Sequence, residues 1–207
     1  MTINNQIARG LEQLELSVTA EQMQQLVTVI EQLSKWNQAY NLTAIREPEQ
    51  MVTLHLMDSL AILPWLKPGR LLDIGTGPGF PGVPLAILDN SRSFFLLDSN
   101  GKKTRFIRQL AHQLGLDHIS VVDTRVEQWQ PDQPFDVITS RAFASLKKMV
   151  DFSYHLLANG GVWQAMKGEL PEHEIEQLPD TVVVDDIQSL VVPELSADRH
   201  LITIRKK

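Results

Sequence analysis

The sequence contains no cysteine. That excludes a disulfide framework, a thiolate metal site and a thiol nucleophile. Long apolar runs are missing too: stretches such as Phe94–Leu97 and Leu71–Leu72 are far too short to cross a bilayer. Met1–Gly10 is polar with a single arginine, unlike the apolar block of a secretory leader. The chain also lacks internal repeats, low-complexity tracts and long linkers. An excess of positive charge is absent as well, since 19 Lys and Arg face 25 Asp and Glu for a net −6. Proteins that coat nucleic acid draw their affinity from neutralising phosphates. Any RNA partner therefore needs a local basic patch here, and composition by itself favours a small-molecule enzyme. The expectation is a cytoplasmic monomer with no membrane contact.

What is present reads as a soluble α/β protein, with 43% hydrophobic and 21% charged residues over 207 positions, within reach of one core. The first third is helical in character. Thr19 and Gln22 fit a capping box, with Val18 and Met23 placed as a hydrophobic staple. Met23, Leu26, Val27, Ile30, Leu33 and Trp36 recur at helical spacing. A polar turn is expected over Asn37–Thr43, and Pro48 opens a second helix reaching about Leu63.

From Arg70 the period changes. Leu71–Ile74, Phe94–Leu97, Ile119–Val122, Phe135–Ile138 and Val162–Met166 read as short buried strands. Pro84–Leu88, Lys102–Leu114 and Ser145–Leu157 are helix-length segments between them. Such alternation marks βαβ units and a parallel sheet. Val182–Val184 and Leu201–Ile204 suit a late antiparallel hairpin at one edge. The expected architecture is a doubly wound, Rossmann-like sheet over 67–207 behind a helical extension over 1–66, the two forming one compact unit.

The most informative stretch is Asp73-Ile74-Gly75-Thr76-Gly77-Pro78-Gly79-Phe80-Pro81-Gly82, which follows a strand and enters a helix as a nucleotide loop does. Gly77, Gly79 and Gly82 satisfy G-x-G-x-x-G, so an NAD-dependent oxidoreductase is one reading. Asp73, at the strand end, is expected to face a cation such as the ammonium of a methionine moiety; a pyrophosphate would be repelled there. Pro78 and Pro81 remove backbone donors from the loop. Asp98 closes the second strand, placed to accept ribose hydroxyls in either class. The loop thus points to a sulfonium cofactor, with the dinucleotide reading left open.

Four separated segments carry a closer resemblance: the loop 73–82, Lys35-Trp36-Asn37-Gln38-Ala39-Tyr40-Asn41-Leu42-Thr43, Ser140-Arg141-Ala142-Phe143-Ala144-Ser145, and Lys167-Gly168. In this order they resemble the RsmG family, formerly called GidB, over nearly the whole chain. The resemblance implies a class I methyltransferase fold and S-adenosylmethionine as cofactor. It also implies methylation at N7 of a guanine (guanine 527) of bacterial 16S ribosomal RNA, free or in the small-subunit particle. Cofactor contacts are implied at Gly75, Phe80, Val126, Glu127 and Arg141. The rivals are a same-fold methyltransferase of a small molecule or protein, an oxidoreductase, and a non-catalytic nucleotide-binding module.

Other groups carry weaker signals. His55 and Asp58 are three apart on a helix and fit a structural hydrogen bond better than an acid–base pair. The remaining histidines lack metal-ligand spacing with carboxylates, so no metal is expected. Lys102, Lys103, Arg105 and Arg108, with Lys147 and Lys148, are candidates for an RNA-facing patch, against the default of a solvated helix face. Lys167 and Asn41 join them, and Trp36 and Tyr40 offer rings for a splayed base or for the core. N7 of guanine carries no proton, so no general base is expected.

Overall fold

The computed structural model describes residues 2–143 and 145–207; Ala144, part of the Ser140–Ser145 run, lies outside them, as does Met1. Thr2 caps α1 (Ile3–Gln13), its hydroxyl accepting from Asn5 N. Thr19 starts α2 (Ala20–Tyr40) with the expected capping box: its hydroxyl accepts from Gln22 N, and the Gln22 side chain accepts from Thr19 N. Such a cap is worth ~1 kcal/mol. The stripe Leu26, Val27, Ile30 and Leu33 is buried as its spacing requires. The helix runs further than expected, through Asn37, and stops at Asn41, whose left-handed φ of 52° ends it.

The second expected helix is present but irregular. It comprises α3 (Pro48–Met51), a π-helical stretch (Val52–Met57) and α4 (Asp58–Leu60), before a 3₁₀ turn at Leu63–Trp65.

The strands follow in order: β1 (Leu71–Ile74), α5 (Gly82–Leu88), β2 (Phe94–Asp98), α6 (Gly101–Leu114), β3 (Ile119–Asp123), β4 (Phe135–Arg141), α7 (Leu146–Ser153), β5 (Leu157–Lys167), α8 (Glu172–Glu176), β6 (Val182–Ser189) and β7 (His200–Lys206). Among the described residues they form a seven-stranded sheet in the order β3-β2-β1-β4-β5-β7-β6. β1 to β5 pair in parallel, and β7 runs antiparallel to both β5 and β6. The hairpin therefore inserts its second strand inside its first. Each expected strand is present, and β4, β5, β6 and β7 extend beyond the apolar runs that announce them.

Alternate strand residues serve opposite faces. Leu71, Phe94, Leu96 and Val137 join a core with Ile7, Leu26, Ile30 and Ile107, so the N-terminal helices pack over one face. Leu72, Ile74, Leu97 and Ile138 join Met149, Val150 and Trp163 on the other. Burial on both faces is why these strands read as unbroken apolar runs. The carboxyl ends of β1 to β5 consequently share one edge, where open sheets hold ligands.

Candidate active site

The glycine loop leaves β1 at that edge. Thr76 N donates to Leu97 O, and Gly79 N and Phe80 N both donate to Thr76 O. Gly77 N donates to Asp98 Oδ2 at 2.9 Å, and Gly82 N to Asp73 Oδ2 at 2.9 Å. Pro78 and Pro81 have no N–H. Every backbone donor from Thr76 to Gly82 is thus engaged within the protein. A pyrophosphate cradle needs such donors aimed outward, and this loop aims its own inward.

Beside the loop lies a hollow of about 450 Å³. Leu97, Val126, Phe143 and Phe152 give it apolar walls, while Asp98, Glu127 and Lys148 bring charge to its rim. Asp98 ends β2, and its Oδ1 also accepts from Asn100 N at 2.8 Å, so the carboxylate is fixed in orientation. At Gly77 a Cβ meets nothing within 4 Å, and φ is +61°. Open space lies ahead of that backbone. The donor set fits an uncharged ribose and a flat base better than a phosphate chain: carboxylates accept from hydroxyls, and apolar walls take a purine.

Asp73 departs from the sequence expectation. It is fully buried, and its Oδ2 accepts from Thr76 Oγ1 at 2.6 Å as well as from Gly82 N. It therefore ties the loop shut and does not line the hollow. Its Oδ1 has no hydrogen-bond partner among the described residues. Burial, only partly offset by Thr76 and Gly82, raises its pKa from 3.8 to about 7.

Gly75, Asp98, Val126, Glu127 and Lys148 meet at the hollow. Phe80 and Arg141 lie elsewhere. Phe80 is buried and stacks on His55, ring centroids 4.9 Å apart. Arg141, at the end of β4, turns its guanidinium to the π-helical stretch: Nη1 donates to Leu54 O at 2.7 Å and Asp58 Oδ2 at 3.1 Å, and Nη2 to His55 Nδ1 at 2.8 Å. Arginine offers no acceptor, so Nδ1 is the acceptor and the proton sits on Nε2, which donates to Thr43 Oγ1 at 2.9 Å. Burial, with Arg141 beside it, lowers the His55 pKa to about 3. His55 and Asp58 are therefore joined through Arg141 and not to each other. Gly79 packs against Val83, where a Cβ has no room.

The basic candidates divide. Lys102, Arg105 and Arg108 line a hollow beside α6 with Asp123, and Lys103 is half-buried beside them. Lys147 pairs with Asp151, and Lys167 Nζ with both Glu174 oxygens. Asn41 accepts from Arg46. Trp36 packs on Phe106 and Tyr40. Phe143, Thr76 and Thr43 were not among the expected site residues. All three lie inside the segments that carry the resemblance, but nothing in their type announced a role. Thr124, Arg125 and Phe152, also at the hollow, carry no sequence signal.

This strand order, with its inserted antiparallel β7 and a glycine loop whose donors from Thr76 to Gly82 are all engaged within the protein, defines the class: the fold of class I S-adenosylmethionine-dependent methyltransferases. Among solved structures, ribosomal protein L11 methylase from Lactobacillus delbrueckii superposes with TM-score 0.57 at 20% identity, over 73% of this chain and 77% of that one. TYW2 from P. horikoshii, in complex with MeSAdo, gives TM-score 0.57 at 12% identity, over 73% and 62%. The family model for rRNA small subunit methyltransferase G, GidB, matches residues 22–202. Ribosomal RNA small subunit methyltransferase G of Vibrio vulnificus is 48% identical over 95% of this chain and 94% of its own; that of Shewanella woodyi is 47% identical over 99% and 100%. The chain belongs to the rRNA small subunit methyltransferase G family.

Proposed function

We propose that this chain transfers a methyl group from S-adenosylmethionine to N7 of a guanine, guanine 527, in 16S ribosomal RNA. Membership of the family supports the RNA substrate, and the self-satisfied glycine loop carries the choice of cofactor. The cofactor, when bound, supplies an electrophilic methyl on a sulfonium and leaves as S-adenosylhomocysteine. Asp98 would hold the ribose hydroxyls, the wall of Val126 and Phe143 would take the adenine, and Gly75 and Gly77 would back the methionine half. Glu127 would accept from the adenine amino group.

Guanine N7 presents an in-plane lone pair and no proton, so no side chain of this protein need act as a base. The work left to the chain is positioning and electrostatics. The positive charge that methylation leaves on the base favours nearby carbonyls and carboxylates over cations. Arg141, already committed to Leu54, His55 and Asp58, orders that wall of the site.

The cations Lys102, Lys103, Arg105 and Arg108 on α6 and Lys147 and Lys148 on α7 would supply the RNA contacts, since both helices leave the ligand edge of the sheet. Lys167, at the end of β5, and Asn41, at the end of α2, would add to these contacts, each with a partner of its own. The helical extension 1–66 and the sheet domain 67–207 would act as one unit, a monomer of the cytoplasm; among the described residues no helix is long and apolar enough to cross a membrane. Mapping modified bases by mass spectrometry in cells with and without the gene tests the reading. Loss of one N7-methylguanine from 16S RNA is expected; an unchanged RNA profile would sink it.

A further inference from the structure

Helix α2 climbs the molecule antiparallel to α6. Near its start Gln22 Nε2 donates to Ile87 O, close to the end of α5, and Gln25 Nε2 to Leu114 O, at the end of α6, each at 2.9 Å. Further along, Trp36 packs on Phe106 with ring centroids 5.5 Å apart. Gln25 is thus matched to Leu114 and Trp36 to Phe106, so α2 ends where α6 begins, at the ligand edge of the sheet. The residues one turn nearer that edge are Tyr40 on α2 and Lys102 and Lys103 on α6. Residues three or four apart share a helix face, so Tyr40 continues the stripe of Trp36, and the two lysines that of Phe106. One turn is ~5.4 Å on either helix, which brings Tyr40 level with the lysines.

Tyr40 is 41% exposed. Its ring rests on Trp36, with centroids 5.1 Å apart and planes 32° apart. One side of the phenol is therefore held by a ladder of two further rings, and the rest meets solvent. The helix stops directly after it, at Asn41, and the chain turns back so that Arg46 donates to Asn41 Oδ1 at 2.8 Å and to Asn37 O. Arg46, itself exposed, adds a third cation at the end of α2.

Covering Trp36 needs only an aliphatic side chain. A ring fixed from below and open above loses little freedom on binding, having two side-chain torsions to settle. Set beside cations, it matches the arrangement that holds unpaired nucleic acid, in which bases stack on aromatic rings while cations follow the phosphates.

We propose that the open side of Tyr40 is a stacking platform for an unpaired RNA base outside the reaction centre, with Lys102 and Lys103 toward the phosphates that flank it. The inference rests on the proposed RNA substrate and adds to it a contact that carries no charge. A stack releases no counterion, so it raises affinity equally at every salt concentration, whereas each phosphate contact steepens the salt dependence. Every base has a π-face, so the platform orients a strand and does not select a base.

The test is fluorescence anisotropy on the full chain with a small-subunit RNA fragment over a salt series, repeated with intact small-subunit particles. Tyr40→Phe keeps the ring, Tyr40→Leu keeps an apolar cover on Trp36, and Tyr40→Gln keeps neither while remaining a good helix former. Phenylalanine should retain the parent affinity. Leucine and glutamine should each weaken it about five- to a hundredfold, by the same factor at every salt concentration. S-adenosylhomocysteine affinity should stay within about twofold, which a folding defect would not permit. Parent affinity in Tyr40→Leu, or no affinity for the fragment in the parent, overturns the platform. So does a loss in Tyr40→Phe as large as in Tyr40→Leu, which assigns the hydroxyl, or a loss confined to intact particles, which assigns a protein contact. The expected pattern in a protein that leaves 16S RNA unmethylated upholds the platform and removes the methylation reading. Full methylation with parent affinity in every variant does the reverse.

Discussion

The Asp73 carboxyl is enclosed at the start of the glycine loop, where it accepts from Thr76 and Gly82. With a folded pKa near 7 against an ordinary 3.8, it keeps its proton in the fold after the unfolded chain has released one. Across that interval the folded state binds more protons, so stability falls as pH rises. Asparagine at this position keeps an oxygen acceptor and has no charge to bury. The stability of Asp73→Asn relative to the parent is expected to climb by roughly 4 kcal/mol from about pH 4 to about pH 7, at 1.4 kcal/mol per pKa unit. Above that the difference levels off, and urea melts across a pH series check it. Gly77 makes the complementary case. A Cβ there meets nothing within 4 Å, but a valine must hold φ at +61°, so a stability loss of ~1–2 kcal/mol is expected. Because its side chain fills the space ahead of the loop, calorimetry should register no binding of S-adenosylmethionine. Normal affinity in Gly77→Val would place the ligand elsewhere. The sequence announced both residues, yet it placed Asp73 facing a ligand. A carboxylate at a strand end looks the same in one dimension whether it turns outward or caps its own loop.

Among the elements, the strands were legible because burial on both faces leaves unbroken apolar runs, and the capping box because its four positions are local. The π-helical stretch was not. Val52–Met57 keeps apolar spacing close enough to the ordinary helical period to hide one widened turn. It is there that Leu54 O meets Arg141, a residue 87 positions away, and no local pattern records such a contact. Arg141 and Phe80 were placed at the cofactor by resemblance; in the structure they meet at His55, between the extension and the loop. This element also bears on catalysis. His55 titrates near 3 and stays neutral through the working range, so it brings no rising limb. With N7 as nucleophile, single-turnover transfer at saturating cofactor and RNA should be flat from about pH 6 to about pH 9. The Asp73 titration acts on the loop and is absorbed by saturation. A steep limb near pH 6.5 that disappears in His55→Ala would refute the N7 assignment in favour of an amine or hydroxyl target.

At the scale of the whole molecule, the net charge of −6 conceals a segregation. Residues 168–198 hold nine carboxylates (Glu169, Glu172, Glu174, Glu176, Asp180, Asp185, Asp186, Glu194 and Asp198) and no Lys or Arg. The other 176 residues carry 19 cations against 16 carboxylates, a balance of +3. An acidic composition therefore does not argue against RNA, because the field at the ligand edge is set by the charges near it. Each phosphate neutralised contributes about 0.9 to the slope of log affinity against log salt on a duplex, and about 0.7 on a single strand. Reversing Lys102, Lys103 and Arg105 to Glu is expected to weaken RNA binding and flatten that slope by about 2 to 3 if all three touch phosphates. S-adenosylmethionine affinity should barely move, since of the residues at the cofactor hollow none is altered. Neutralising Glu172, Glu176 and Asp180 changes the net charge by +3, half the charge change of the reversal, at the far side of the sequence pattern. Its expected effect on the slope is close to zero, because counterion release counts contacts and not net charge. Fluorescence anisotropy with a small-subunit RNA fragment over a salt series reads both variants. Equal slopes in parent and charge-reversed protein would return α6 to an ordinary solvated face. A slope that follows net charge in both variants would show long-range attraction in place of a defined RNA surface.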